Sequence, residues 1–304
     1  MKKKLSTVLL ALAAFMPMTA QNLVKGDYGY LYCHMSDKGE WTAYAISRDG
    51  YNYQDINGGN PIFNPEEHAR IEGGTRDAYI TRMHNGKGYI MVTTDMCVRK
   101  SHKWDNYGID LLKSKDLKNW TSVTFDFRKG MQNFCDAATA TSPYKDWSTI
   151  NRVWAPQIFW DPDYRWENGE KGGYMIYYSM LNRAEEKYDR MYYSYADKTF
   201  TKLTTPKLLF DWGYATIDAD INFLKSDGLY HMLIKKEGGK RGIFTATSKY
   251  LNHGWSAPTM IEIFAGSGED TSLSTLFLDE HVVKSIALQE IDIGIDGSIA
   301  PVEK

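Results

Sequence analysis

Cysteine is scarce in this chain, and the few present do not pair off. Cys33, Cys97 and Cys135 are an odd number, and an odd number gives no clean disulfide framework. A Cys97–Cys135 bridge and three buried thiols both stay open, the second favoured. A membrane-spanning apolar run is also missing. The stretch Leu5–Phe15 is too short to cross a bilayer. Lys2, Lys3 and Lys4 precede it and Met16-Pro17-Met18-Thr19-Ala20 follows it, the pattern of a secretory signal peptide cut after Ala20. A retained anchor is the alternative, and the absence of a Cys at the end of the run argues against a lipoprotein. The mature chain is therefore expected in the periplasm or outside the cell. Loss of residues 1–20 removes three lysines and no acid, taking the formal charge from −2 to −5. With no basic cluster either, nucleic acid and anionic membrane are poor candidates as partners. Almost no stretch holds a 3.6-residue apolar period, which argues against a helical bundle. His-Glu-x-x-His, Cys-x-x-Cys, a phosphate loop and a nucleophile elbow are all absent. The seven histidines are scattered, so no metal site is expected among them and no cofactor is required.

What is abundant is aromatic. Tyr and Trp number 21 and 9, enough either to pack β-sheets or to offer flat faces to sugar rings. Strand signals dominate after residue 25, and no linker interrupts residues 25–265. A single domain over residues 21–304 follows, with residues 279–304 an atypical tail, and the chain is expected to be a monomer. Strands are expected at Tyr28–Met35 and Trp41–Ser47, at Tyr79–Met83 and Gly88–Thr94, at Gln157–Trp160, Tyr174–Met180 and Met191–Tyr195, and at Ile221–Leu224, Tyr230–Lys235 and Gly242–Ala246. Asn85-Gly86-Lys87-Gly88 marks a hairpin turn. Polar turns ending near an aromatic recur at Ser47–Gly50, Ser114–Trp120, Tyr195–Phe200 and Ser248–Leu251. Residues 100–152 hold the largest insertion, in which Ser101–Tyr107 and Gly130–Ile150, like Glu66–Gly74, look like irregular rim loops that shape a pocket.

One short phrase is written three times. Arg76-Asp77-Ala78-Tyr79-Ile80, Trp154-Ala155-Pro156-Gln157-Ile158 and Ile217-Asp218-Ala219-Asp220-Ile221 each precede a glycine and a tyrosine-led β run. Such repeats indicate an all-β, radially repeated fold, in which equivalent positions face each other across a central axis. Asp77 and Asp218 would then share a pocket, and paired carboxylates are what glycoside hydrolysis needs.

These phrases resemble the motifs of family 43 glycoside hydrolases. Arg76-Asp77-Ala78-Tyr79-Ile80 is similar to their Arg-Asp-Pro-Tyr-Ile, Trp154-Ala155-Pro156 to their Trp-Ala-Pro, and Ile217-Asp218-Ala219-Asp220 to their Ile-Asp-Gly-Asp, in the same order. The resemblance covers roughly residues 25–265. It implies a five-bladed β-propeller with its last blade incomplete or divergent, closed by Tyr28–Phe63. It also implies an inverting mechanism on arabinofuranosides or xylosides of plant polysaccharides. Asp77 would be the general base and Asp218 a second carboxylate tuning the acid, with Asp220 in reserve because residues i and i+2 of a regular strand share a face. The general acid fits Glu269 best by position, although Gly268-Glu269-Asp270-Thr271 departs from the family segment. Glu237 is the alternative, expected nearer the middle of its blade than the axis, and a chain without a competent acid is the third case. Arg76 either holds the base ionised, contacts a sugar hydroxyl, or is a surface arginine. Trp154 and Trp104 are placed at the pocket, with core packing as the equal reading. A structural calcium ion is left open. The competing functions are a carbohydrate-binding propeller without catalysis and a hydrolase or lyase on another glycan such as a galactoside.

Overall fold

The computed structural model describes residues 29–36, 38–239 and 241–261, together with the backbone of residues 289–293 and 299–301. Its strands form four antiparallel sheets. The first holds β1 (Gly29–Met35), β2 (Thr42–Ser47) and β3 (Gln54–Asp55). The second is β4 (Thr75–Arg82), β5 (Tyr89–Asp95), β6 (Gly108–Ser114) and β7 (Trp120–Asp126). The third is β8 (Ile150–Arg165), β9 (Lys171–Asn182), β10 (Arg190–Ala196) and β11 (Lys207–Phe210). The fourth is β12 (Thr216–Leu224), β13 (Leu229–Lys236), β14 (Gly242–Ser248) and β15 (Thr259–Met260). Two later strands, β16 (Gln289–Ile293) and β17 (Ile299–Pro301), join the first sheet, β16 pairing antiparallel with β1. In the second, third and fourth sheets the strands pair in simple sequence order, and the inner strand β8 packs against the inner strands β4 and β12 on either side. The fold is an all-β propeller.

The tyrosine-led runs are second strands, and on β5 and β9 they are apolar because both of their faces are covered. On β5, Tyr89 and Met91 pack with Leu31 and Tyr44 of the first sheet, while Ile90 and Val92 pack with Ile158 and Ile176 of the third. On β9, Tyr174, Ile176 and Tyr178 face back to the second sheet, while Met175 and Tyr177 face Ile221 and Met232 of the fourth. Period-two alternation thus splits one strand between two inter-sheet cores. Each large apolar side chain buried there contributes on the order of 2 kcal/mol.

The polar turns sit between outer strands, as their sequences indicate. In three of them an aspartate ties the chain: Asp49 Oδ1 accepts from the amides of Tyr51 and Asn52, Asp116 Oδ1 from those of Lys118 and Asn119, and Asp197 Oδ1 from those of Thr201 and Lys202. Strands β6 and β7 lie between the two expected rim loops, Ser101–Tyr107 and Gly130–Ile150, the second of which carries short helical turns at 131–133 and 147–149. The cysteines differ from the favoured expectation. Cys33 and Cys97 are buried thiols, but Cys135 is exposed, and none is bonded.

Candidate active site

The three repeated phrases fold into the same backbone device. In each inner strand the ladder slips by one residue: Arg76 pairs with Thr94 and Tyr79 with Val92, Trp154 with Ser179 and Gln157 with Tyr177, Ile217 with Lys235 and Asp220 with Leu233. Two residues of the inner strand oppose one of its neighbour, which is a β-bulge. The first residue of each bulge is left-handed: Asp77 at φ 52°, Ala155 at φ 47° and Asp218 at φ 56°. This conformation costs a non-glycine residue roughly 1–2 kcal/mol, and aspartate is among the residues found in it most often.

The bulges turn Asp77 and Asp218 into one pocket of about 1010 Å³. Both reach solvent at its floor, with protein enclosing them on the other sides. Burial raises the Asp77 carboxyl above its ordinary value. Arg76 and a hydrogen bond from Thr94 pull it back, and Glu40 adds to the rise. Asp218 is pushed up to about 6, first by burial and then by the charge of Asp77. Lys235 opposes that rise from 3.8 Å. Asp218 therefore titrates in the field of Asp77. In a carbon-13 NMR titration of aspartate-labelled protein, Asp218 should titrate near pH 6. Lys235→Met removes an attracting cation and should raise that midpoint; Asp77→Asn removes a repelling charge and should lower it. A midpoint indifferent to both changes would separate the two carboxylates.

Other expected residues fall into place around this pair. Arg76 lines the pocket, with Nη1 donating to Glu40 Oε1 at 2.8 Å and its guanidinium over the Trp104 ring at 5.1 Å. Trp104 is 58% exposed and meets Trp154 edge to face at 6.4 Å. Trp154 carries the Arg152 guanidinium 4.4 Å above its ring. One wall is therefore a pair of indoles set edge to face, with a guanidinium over each, an apolar surface held in place by charge.

Two expectations need correction. Asp220 is not in the pocket with Asp218. The bulge consumes the residue that would have kept them on one face, and Asp220 turns instead toward the core. There Asn222 Nδ2 donates to it at 2.9 Å and the Gln157 amide reaches it at 2.7 Å, beside Tyr79 and Tyr177. Glu237 does line the pocket rather than the middle of its sheet. It follows β13 directly, and its amide donates to the Ala215 carbonyl. Both of its oxygens are engaged by cations, Lys235 at 2.7 Å and Arg241 at 3.2 Å. Glu269 lies outside the described residues.

Four residues of the site carry no motif. Thr94 on β5 accepts from the Ala155 amide at 2.9 Å and donates to the Asp77 carboxylate, so one hydroxyl fixes the base candidate against the next sheet. Glu40 anchors Arg76 from the first sheet and accepts the Arg99 amide at 2.7 Å. Arg152 Nη1 donates to the buried Asp189 at 2.8 Å, and the Asp189 carbonyl takes the Thr216 amide at the start of β12. Burial raises the Asp189 carboxyl while Arg152 pulls it down. Among the described residues no group of three or more His, Cys, Asp and Glu side chains is disposed to hold a metal ion.

Two carboxylates beside an aromatic wall in one pocket are groups that glycoside hydrolysis uses. Comparison with known proteins agrees. Residues 26–274 match the glycosyl hydrolase 43-related family, described as a probable glycosyl hydrolase domain, and the chain belongs to that family. An α-L-arabinofuranosidase of Bifidobacterium longum subsp. longum is 24% identical over 232 residues, 69% of this chain but 19% of that protein. The chain thus spans about a fifth of the curated relative it matches. Among solved structures, an α-L-arabinofuranosidase from Clostridium thermocellum superposes with a TM-score of 0.52 at 12% identity, covering 93% of this chain and 91% of the other. An exo-β-1,3-galactanase from Phanerochaete chrysosporium, holding β-1,3-galactotriose, gives 0.51 at 14% identity over 80% and 49%. At such identities these structures speak for the fold.

Proposed function

We propose that this chain is an exported, inverting glycoside hydrolase acting on arabinofuranoside or xyloside linkages of plant polysaccharides. The observation that carries the reading is the pair of matching bulges that turn Asp77 and Asp218 into one pocket, where the charge of Asp77 acts on Asp218. In this reading Asp77 takes a proton from water and Asp218 sets the field in which a carboxylic acid stays protonated. Glu269 is the proposed acid by its place in the family pattern. Trp154, Trp104 and Arg76 present the wall against which a sugar ring lies. The arabinofuranosidase relative supports the substrate class. The lysines and apolar run before Ala20 support export. The ring is read as five-bladed, as the family resemblance implies.

The test is a screen of nitrophenyl glycosides, followed by proton NMR of the first product. Hydrolysis of an arabinofuranoside or xyloside with an inverted anomer is expected. A retained anomer would refute the mechanism, and no turnover of any glycoside, with sugar binding preserved, would leave a carbohydrate-binding propeller. The engagement of both Glu237 oxygens by cations is the observation that favours this second reading.

A further inference from the structure

The inner strands run from the axial pocket to the opposite face of the propeller. Trp154 is near the pocket end of β8 and Asp161 near its far end, roughly 20 Å away along the strand. The same far face holds the start of β13 at Tyr230 and the end of β14 at Ser248, which pair with each other. Between the third and fourth sheets there, a second pocket of about 350 Å³ opens. Its residues take no part in the chemistry above.

This pocket combines a ready-made aromatic platform with a fixed polar fork. Tyr250 is 56% exposed, and His253 stacks on it at 4.3 Å with an interplanar angle of 11°. The His253 ring nitrogen Nδ1 shares a hydrogen bond with Asn252 Oδ1 at 2.7 Å. Asn252 Nδ2 in turn donates to the Tyr195 hydroxyl at 3.2 Å, and that hydroxyl donates to Asp161 Oδ2 at 2.6 Å. Tyr195 is buried and stacked on Tyr164 at 3.6 Å, so the bridge is held rigid. Asp161 Oδ1 is fixed as well, accepting from the amides of Asp163 and Tyr164. A flat exposed ring beside an ordered carboxylate and amide suits a ligand with an apolar face and a hydroxyl rim. A tyrosine platform orders at little entropic cost, because few of its torsions are free.

We propose that this far-face pocket is a second, non-catalytic glycan-binding site, with Tyr250 stacking a sugar ring and Asp161 and Asn252 meeting its hydroxyls. It would hold a polysaccharide chain on the side opposite the axial pocket. The ligand class rests on the glycosidase reading of that pocket, so the test keeps the two apart. Electrophoresis in native gels containing soluble arabinan, arabinoxylan or arabinogalactan measures binding, and nitrophenyl glycosides measure turnover. The protein should be retarded by at least one of these polymers. Tyr250→Ala should weaken that binding about tenfold, the range of a single stacking contact, and Asn252→Ala should weaken it less. Turnover of the small aryl glycoside should stay at the wild-type rate in both variants. Equal retardation of wild type and Tyr250→Ala, or no retardation by any polymer, overturns the proposal. Loss of aryl-glycoside turnover in both variants also overturns it, because the effect would then lie in folding. Tyr250-dependent retardation by a protein that cleaves no glycoside would retain this site and reject the glycosidase reading.

Discussion

Asp77→Asn should fold normally and lose between about 10² and 10⁴ in kcat, the range contributed by a positioned general base. The expectation of a normal fold rests on the backbone. Asp77 sits at φ 52°, and asparagine tolerates that region as well as aspartate does. The new amide keeps the size and one acceptor oxygen of the old carboxylate, so Thr94 retains a partner. What the amide cannot do is take a proton from water. Circular dichroism and the melting temperature should match the wild type, while kcat/KM on the best aryl glycoside collapses. Activity within tenfold of wild type, from protein with an unchanged melt, would remove Asp77 from the role of base. The same variant withdraws a negative charge from Asp218, so its NMR midpoint supplies a second readout of whether the pair is coupled.

Asp189→Ala should cost about 3 kcal/mol of stability, the lower end of what breaking a buried ion pair costs. Asp189 is 5% exposed and Arg152 is only partly exposed. Truncating the carboxylate strands a guanidinium between the Trp154 ring and an emptied site. Partial access of Arg152 to water keeps the cost from being larger. In thermal melts the loss should appear as a fall of roughly 6–12 °C. The paired change Arg152→Met with Asp189→Leu should recover most of it, because an apolar pair of similar volume avoids the buried charge. If Asp189→Ala melts within a degree or two of wild type, the pair is a solvated contact and not a structural tie. The double variant is still expected to bind sugar poorly, since Trp154 loses the cation that flattens it against the wall.

Much of the architecture was legible because the repeats carry it on their surface. The tyrosine-led runs of β5 and β9 are apolar on both faces, and the turn signatures separate them cleanly. The strands β6 and β7 were harder to see. Asp110 lies fully buried in β6, hydrogen-bonded by Thr93 and Thr124, and a buried acid interrupts the apolar pattern that marks a strand. At the site, Asp77 and Asp218 could be named from their place in the repeated phrase. Asp220 could not be judged, since the i, i+2 rule assumes an unbroken ladder and nothing in Ile217-Asp218-Ala219-Asp220 announces the slip. Glu40, Arg152 and Asp189 were invisible for another reason. Their partners lie 36 or 37 residues away in sequence, and such pairs acquire meaning only when sheets pack. Thr94 reads as an ordinary strand threonine until the Ala155 amide is seen to dock on it.

The left-handed bulge occurs in three inner strands, yet only two of them carry an acid there. Ala155 occupies the third socket with a methyl group. A ring built from like units is close to rotationally degenerate, and a ligand at its centre would otherwise meet the same chemistry from several directions. The blank socket lifts that degeneracy. It leaves one side of the floor without a carboxylate, flanked by Trp154 and Arg152, while negative charge gathers on the sides of Asp77 and Asp218. In the reaction proposed above, a sugar entering along the axis would have a front and a back, so water and leaving group would be assigned to different sides before any bond changes.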